Sequence, residues 1–117
     1  MSRLTDKLGG WGCDVRGALQ RCVDDESFYE MLVNMLLDDP SFAGLDKAMA
    51  EDDIVAAFEA AHTLKGVLSN LGITPLSELV VKLVEPLRKG TEPHDLGAQY
   101  GEFSVKLDEF RSILSAP

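Results

Sequence analysis

The residues with most chemical potential in this 117-residue chain are two histidines, two cysteines and a few cations. His62 stands in the run Ala61-His62-Thr63-Leu64-Lys65-Gly66-Val67-Leu68-Ser69-Asn70-Leu71-Gly72. An imidazole with an ordinary pKa near 6.5 is mostly neutral at about pH 7, so it can act as a nucleophile. Lys65 lies three residues on and Gly66 four, the spacings that bring side chains onto one helix face. The lysine offers charge to an anion, and the glycine leaves space beside the imidazole. Glycine inside an exposed helix costs about 1 kcal/mol relative to alanine, so helix stability does not account for it. A phosphoryl group is the anion that fits this arrangement best. Spacing alone leaves a second reading open, in which His62 is a surface histidine and Gly66 an accident of packing.

The elements that must position these residues are helices throughout. Val15, Leu19 and Cys22 mark a short first one. Asp24 to Ser27 start the next, with Phe28, Met31, Leu32, Met35 and Leu36 at helical spacing on its expected core face. Asp39-Pro40-Ser41 breaks it, and Phe42, Leu45, Ala48 and Met49 form a successor. Asp52-Asp53 opens the helix that carries His62, which Gly72 ends. Thr74-Pro75 opens another, with Leu76, Leu79, Val80, Leu83, Val84 and Leu87 inward, Pro86 expected to kink or loosen its last turn, and Gly90 at its end. Leu96, Tyr100, Phe103, Leu107, Phe110 and Leu114 step by three and four along the last. Nothing alternates as a strand would. The expected fold is all-α, an antiparallel four-helix bundle with extra short N-terminal helices. One domain over 1–117 is expected, its core about 14–114 and 1–12 an N-terminal segment.

With His62 at 0° and about 100° per residue, Ala57, Ala61, Leu64 and Leu68 average about 230°. The imidazole therefore points out of the bundle. Lys65, Gly66 and Ser69 fall at about −60°, +40° and −20°, so the four residues share one outward patch. Phe58, one turn earlier, lies near the same face.

The segment Ala61 to Gly72 closely resembles the signature of histidine-containing phosphotransfer (HPt) domains. The resemblance rests on His62, Leu64, Lys65, Gly66 and Gly72. An acidic start and a Phe-Tyr helix precede the motif, and a helix ending Leu87-Arg88-Lys89-Gly90 follows it. The likeness spans about 14–114. It implies that His62 is a phosphoacceptor exchanging its group with an aspartate of a response-regulator receiver domain, in a phosphorelay that can include a hybrid sensor kinase. Lys65 would stabilise the phosphoryl charge, Gly66 would give the receiver room, and Ser69 would border the docking surface. Magnesium would sit on the receiver, with no cofactor on this chain. Val67 and Leu68 depart from the small residues usual there, and Val67 bears on how closely the neighbouring helix approaches.

Other chemistries find less support. Glu59-Ala60-Ala61-His62 is a Glu-x-x-His unit, but a di-iron bundle needs two, facing inward. The Gly9-Gly10-Trp11-Gly12 run follows no strand, and no phosphate-cradling motif is present, so neither autonomous kinase activity nor an enzyme is expected. A docking-only helical module that binds receivers without transfer is the alternative. Trp11 is expected to pack the N-terminal segment onto the bundle. His94, in Glu92-Pro93-His94-Asp95, reads as a solvated loop histidine. Cys13 and Cys22, nine positions apart, fall on opposite helix faces and read as reduced thiols. Twenty acidic against eleven basic residues give a net charge of −9, which disfavours nucleic acid and anionic membranes. No apolar run approaches the length of a membrane span or of a signal peptide. A cytoplasmic monomer is expected.

Overall fold

The computed structural model describes residues 3–115, so residues 1, 2, 116 and 117 of the expected 1–117 domain lie outside it. Its helices are α1 (Arg3–Trp11), α2 (Val15–Arg21), α3 (Glu26–Leu36), α4 (Pro40–Ala50), α5 (Ile54–Asn70), α6 (Thr74–Arg88) and α7 (Gly97–Ser115). A short 3-10 turn, Pro93–Leu96, precedes α7. No strand occurs among the described residues. Four of the helices begin on aspartates. Asp14, Asp25, Asp39 and Asp53 accept from the backbone N–H groups of Gly17, Phe28, Ser41 and Ala56. Each such cap contributes about 1 kcal/mol, so part of the chain's acidity is spent on starting helices.

Helices α4 to α7 form the four-helix bundle. Side-chain pairs show neighbouring helices running in opposite directions. Tyr100 donates to Asp46 at 2.7 Å, while Phe103 stacks on Phe42 with centroids 6.5 Å apart. Moving forward along α7 therefore means moving backward along α4. The expected α7 seam is inside at Phe103, Leu107 and Phe110. Leu96 is buried too, but in the 3-10 turn rather than in α7. Helix α6 runs two residues past Pro86, and the Lys89 N–H bonds back to the carbonyls of Glu85 and Pro86.

Helices α1 to α3 cover the bundle. The chain is helical earlier than the apolar spacing predicts, because Leu8 of α1 is fully buried. Trp11 docks this helix on α7, donating to Glu109 at 3.0 Å and stacking on Phe110 at 5.9 Å. Cys13 and Cys22 are both free, and burial pushes the Cys13 thiol up to about 12.

Helix α3 departs from its expected face. Tyr29, Val33 and Leu36 are buried, whereas Phe28, Met31 and Met35 are 43%, 49% and 57% exposed. The helix is turned by roughly one residue, or about 100°. The cause is Tyr29. Its hydroxyl donates at 2.8 Å to the buried carbonyl of Leu71, so the tyrosine faces inward and Phe28 is displaced outward. Burial holds that phenol well above its ordinary value, which keeps it a donor.

The end of α5 is bonded from several parts of the chain. Gly72, at φ +69°, closes a Schellman turn in which Ile73 N–H reaches the Leu68 carbonyl and Gly72 N–H that of Ser69. Arg21 of α2 donates to the Asn70 carbonyl at 2.7 Å and to that of Ser69 at 3.1 Å. Asp14 N–H donates to the Gly72 carbonyl at 2.8 Å. A Cβ at Gly72 would run into the Asp14 carbonyl oxygen. The start of α5 is held by a latch. Asp52 accepts both the backbone N–H and the Nδ1 of His94, each at 2.8 Å. His94 is thus exposed, as expected, yet paired.

Two outcomes follow from these end contacts. Gly72→Ala combines a left-handed φ with a backbone collision and should lower unfolding stability by about 3 kcal/mol, read by urea denaturation. The His94–Asp52 hydrogen bond, with the carboxylate's charge, raises the His94 pKa above its ordinary 6.5. The folded chain therefore binds that proton more tightly than the unfolded chain. The latch's stabilisation is full between the ordinary values of Asp52 and His94, 3.8 and 6.5, and fades as pH rises through the raised His94 value. The same bond holds Asp52 below its ordinary 3.8, so stabilisation also fades in acid, as pH falls through that lowered value. Denaturation of His94→Gln should show a deficit at pH 5.5 that shrinks markedly at pH 9.

Candidate functional site

Helix α5 delivers the four predicted residues to one face. Ala57, Ala61, Leu64 and Leu68 are fully buried, which anchors the opposite side of the helix and sets its rotation. His62, Gly66 and Ser69 are exposed and Lys65 is half-buried. The structure thus brings the whole predicted patch together. Among the described residues, neither ring nitrogen of His62 nor the Lys65 ammonium has a hydrogen-bonding or ion-pair partner within the chain.

Gly66 has no conformational or packing reason to be glycine. Its φ is not positive, and a Cβ placed there meets nothing within 4 Å. The backbone beside the imidazole is consequently open to an incoming group, and the space is not filled by a neighbouring helix.

The imidazole has one intramolecular neighbour of note. Phe58 stacks on it with centroids 5.6 Å apart and planes 12° from parallel. The Arg88 guanidinium of α6 lies over the Phe58 ring, 5.6 Å from its centroid, and also pairs with Glu85 at 3.6 Å. Sequence reasoning noted Phe58 near the face but missed Arg88. The signal was available in the hairpin. Antiparallel helices joined at Gly72 pair positions whose numbers sum to about 144, which sets the end of α6 level with the start of α5.

On the other flank lies a groove of about 450 Å³ between α3 and the end of α5, lined mainly by Leu32, Met35, Leu36, Val67, Asn70 and Leu71. Val67 is therefore accommodated by open space rather than jammed against a helix. Met35, displaced outward on α3, joins Leu32 and Leu36 in making this groove largely apolar. Sequence reasoning missed it too, because those residues were assigned to the core.

Glu59 and His62 gather no metal-ligand set. Among the described residues, the ligand atoms that converge within 4.8 Å are those of Asp52, Glu92 and His94, all exposed, and the His94 Nδ1 is already bonded to Asp52. No helix among the described residues is long and apolar enough to cross a membrane.

Comparison with protein families finds a match over most of the chain. A family model described as "Hpt domain" covers residues 29–113, from Tyr29 in α3 to Ile113 in α7. No curated protein and no solved structure gives a significant match.

The open surroundings of Gly66 carry a measurable consequence. Gly66→Ala should raise unfolding stability by about 0.5–1 kcal/mol, because the unfolded chain loses freedom and the helix meets no clash. Thermal and urea denaturation read this directly; destabilisation would mean that the free protein itself needs the glycine.

Proposed function

The chain belongs to the Hpt domain family, and from that premise we propose that it is a phosphoryl carrier of a two-component phosphorelay, with His62 as phosphoacceptor. The observation that carries this reading is the exposed imidazole, free at both nitrogens, beside a glycine with empty space at its Cβ. The family consists of phosphocarrier modules, and no nucleotide chemistry is assigned to this chain.

The donor or acceptor is the aspartate of a receiver domain, either free-standing or part of a hybrid sensor kinase. A lone pair of the His62 ring attacks the phosphorus of the aspartyl phosphate. The N–P bond forms as the P–O bond to aspartate breaks, and the carboxylate leaves with that electron pair. The remaining ring proton exchanges with solvent. The reverse step returns the group. Lys65 faces the negative charge of the transferring group, and Gly66 admits the partner's backbone and side chains. Magnesium belongs to the receiver. The groove from Met35 to Val67 and Asn70 supplies a largely apolar docking margin along the last turn of α5, with Asp38 and Asp39 at its edge. The net charge of −9 argues against nucleic acid, and the cytoplasm is where a receiver would be met.

A docking-only module shares that margin, so transfer itself separates the two readings. Purified protein mixed with a radiolabelled phospho-receiver should take up label that is lost in acid, as a phosphoramidate is. His62→Gln should still bind the receiver yet acquire no label, a fall of at least about 10³-fold for loss of the nucleophile. Label retained in that variant, or stable in acid, would remove His62 from the mechanism. Binding without transfer in the unaltered protein would leave the docking-only module.

A further inference from the structure

Phe58 is half-buried and packs against the edge of the core, whose fully buried α5 residues are Ala57, Ala61, Leu64 and Leu68, so its ring also reaches the exposed face that carries His62. Resting on the carrier reading above, we propose that Phe58 is a positioning residue for His62, braced from α6 by Arg88.

An exposed histidine on a helix face would otherwise exchange among several rotamers. In-line phosphoryl transfer requires the attacking lone pair to meet phosphorus within a narrow range of directions. The Phe58 ring lies 5.6 Å from the imidazole centroid at 12°, inside the range of attractive ring pairs. Such a pair favours the stacked rotamer by roughly two- to twelvefold. It covers a face of the imidazole while leaving the edge, where both nitrogens sit, without a protein partner. The free nitrogens and the ordered ring plane thus come from one contact.

Phe58 is itself held. The Arg88 guanidinium sits 5.6 Å from its centroid, a cation–π distance, and Glu85 restrains that guanidinium from the preceding turn of α6. The brace links the reactive helix to its hairpin partner. The cation is supplied by a separate helix, so Arg88 can be altered without touching α5.

Single-turnover transfer from a labelled phospho-receiver tests this, with receiver concentration varied to separate kcat from KM. Phe58→Leu keeps apolar bulk but has no ring face. It should lower kcat by roughly two- to twelvefold with KM unchanged, and Phe58→Tyr should restore it. Arg88→Gln should lower kcat by a smaller factor, and Arg88→Lys, which keeps the cation over the ring, should recover it. In NMR spectra the His62 ring protons should lose their ring-current shift in Phe58→Leu, whatever partner is used. Thermal midpoints of the variants check that folding is intact, and Arg88→Gln on the surface serves if Phe58→Leu is destabilised. Wild-type kcat in Phe58→Leu would overturn the proposal. So would a change confined to KM, which would make Phe58 a docking contact. A wild-type protein that takes no label, with the ring-current shift present, would refute the carrier reading rather than the stack.

Discussion

The turn at Gly72 is the constraint on which the rest of the structure depends. A helix end leaves carbonyls without intrahelical partners, and a buried end must find partners for them elsewhere. At the end of α5 they come from three separate parts of the chain. Arg21 takes the Ser69 and Asn70 carbonyls, Tyr29 takes that of Leu71, and the Asp14 N–H takes that of Gly72. These bonds tie α2, α3 and the α1–α2 connection to the turn of the α5–α6 hairpin. Only glycine can stand at the centre, because the φ is left-handed and the Asp14 carbonyl occupies the place of a Cβ.

That closure orders the functional face. With its buried stripe against the bundle and its last turn bonded from outside, α5 has little freedom to rotate. The reactive face is then defined by what is left over, namely His62, Lys65, Gly66 and Ser69. The same closure decides α3. Tyr29 points at Leu71, so Phe28, Met31 and Met35 point away from the core, and Met35 lines the groove that leads to Val67. A hydrogen bond that satisfies a buried carbonyl thus leaves an apolar groove along the last turn of α5.

Charge works on two scales here. The overall −9 is set by the whole surface, and part of it serves helix capping at Asp14, Asp25, Asp39 and Asp53. The face around His62 is locally different, with Lys65 half-buried and Arg88 held over Phe58. Bulk charge therefore describes what the protein avoids, while the local arrangement describes the anion it can meet.

The sequence by itself determined the helices from Val15 onward, their order and the outward patch of four residues. These follow from local rules: apolar spacing, aspartate caps, the φ freedom of glycine and the 100° step of a helix. The family likeness was legible for the same reason, since His62, Lys65 and Gly66 lie within one helical turn or so of each other. Tertiary structure alone decided the phase of α3, the capture of His94 by Asp52, the helical packing of Arg3–Trp11 and the placing of Arg88 over Phe58. In α3 the apolar pattern supports two rotations about equally, and one long-range hydrogen bond, from Tyr29 to Leu71, selects between them. His94 and Asp52 are 42 positions apart, and Arg88 and Phe58 are 30 apart across a hairpin. Periodicity reports which side of a helix is apolar. It carries no information about which distant carbonyl, carboxylate or ring that side will meet, because that partner exists only once the chain has closed on itself.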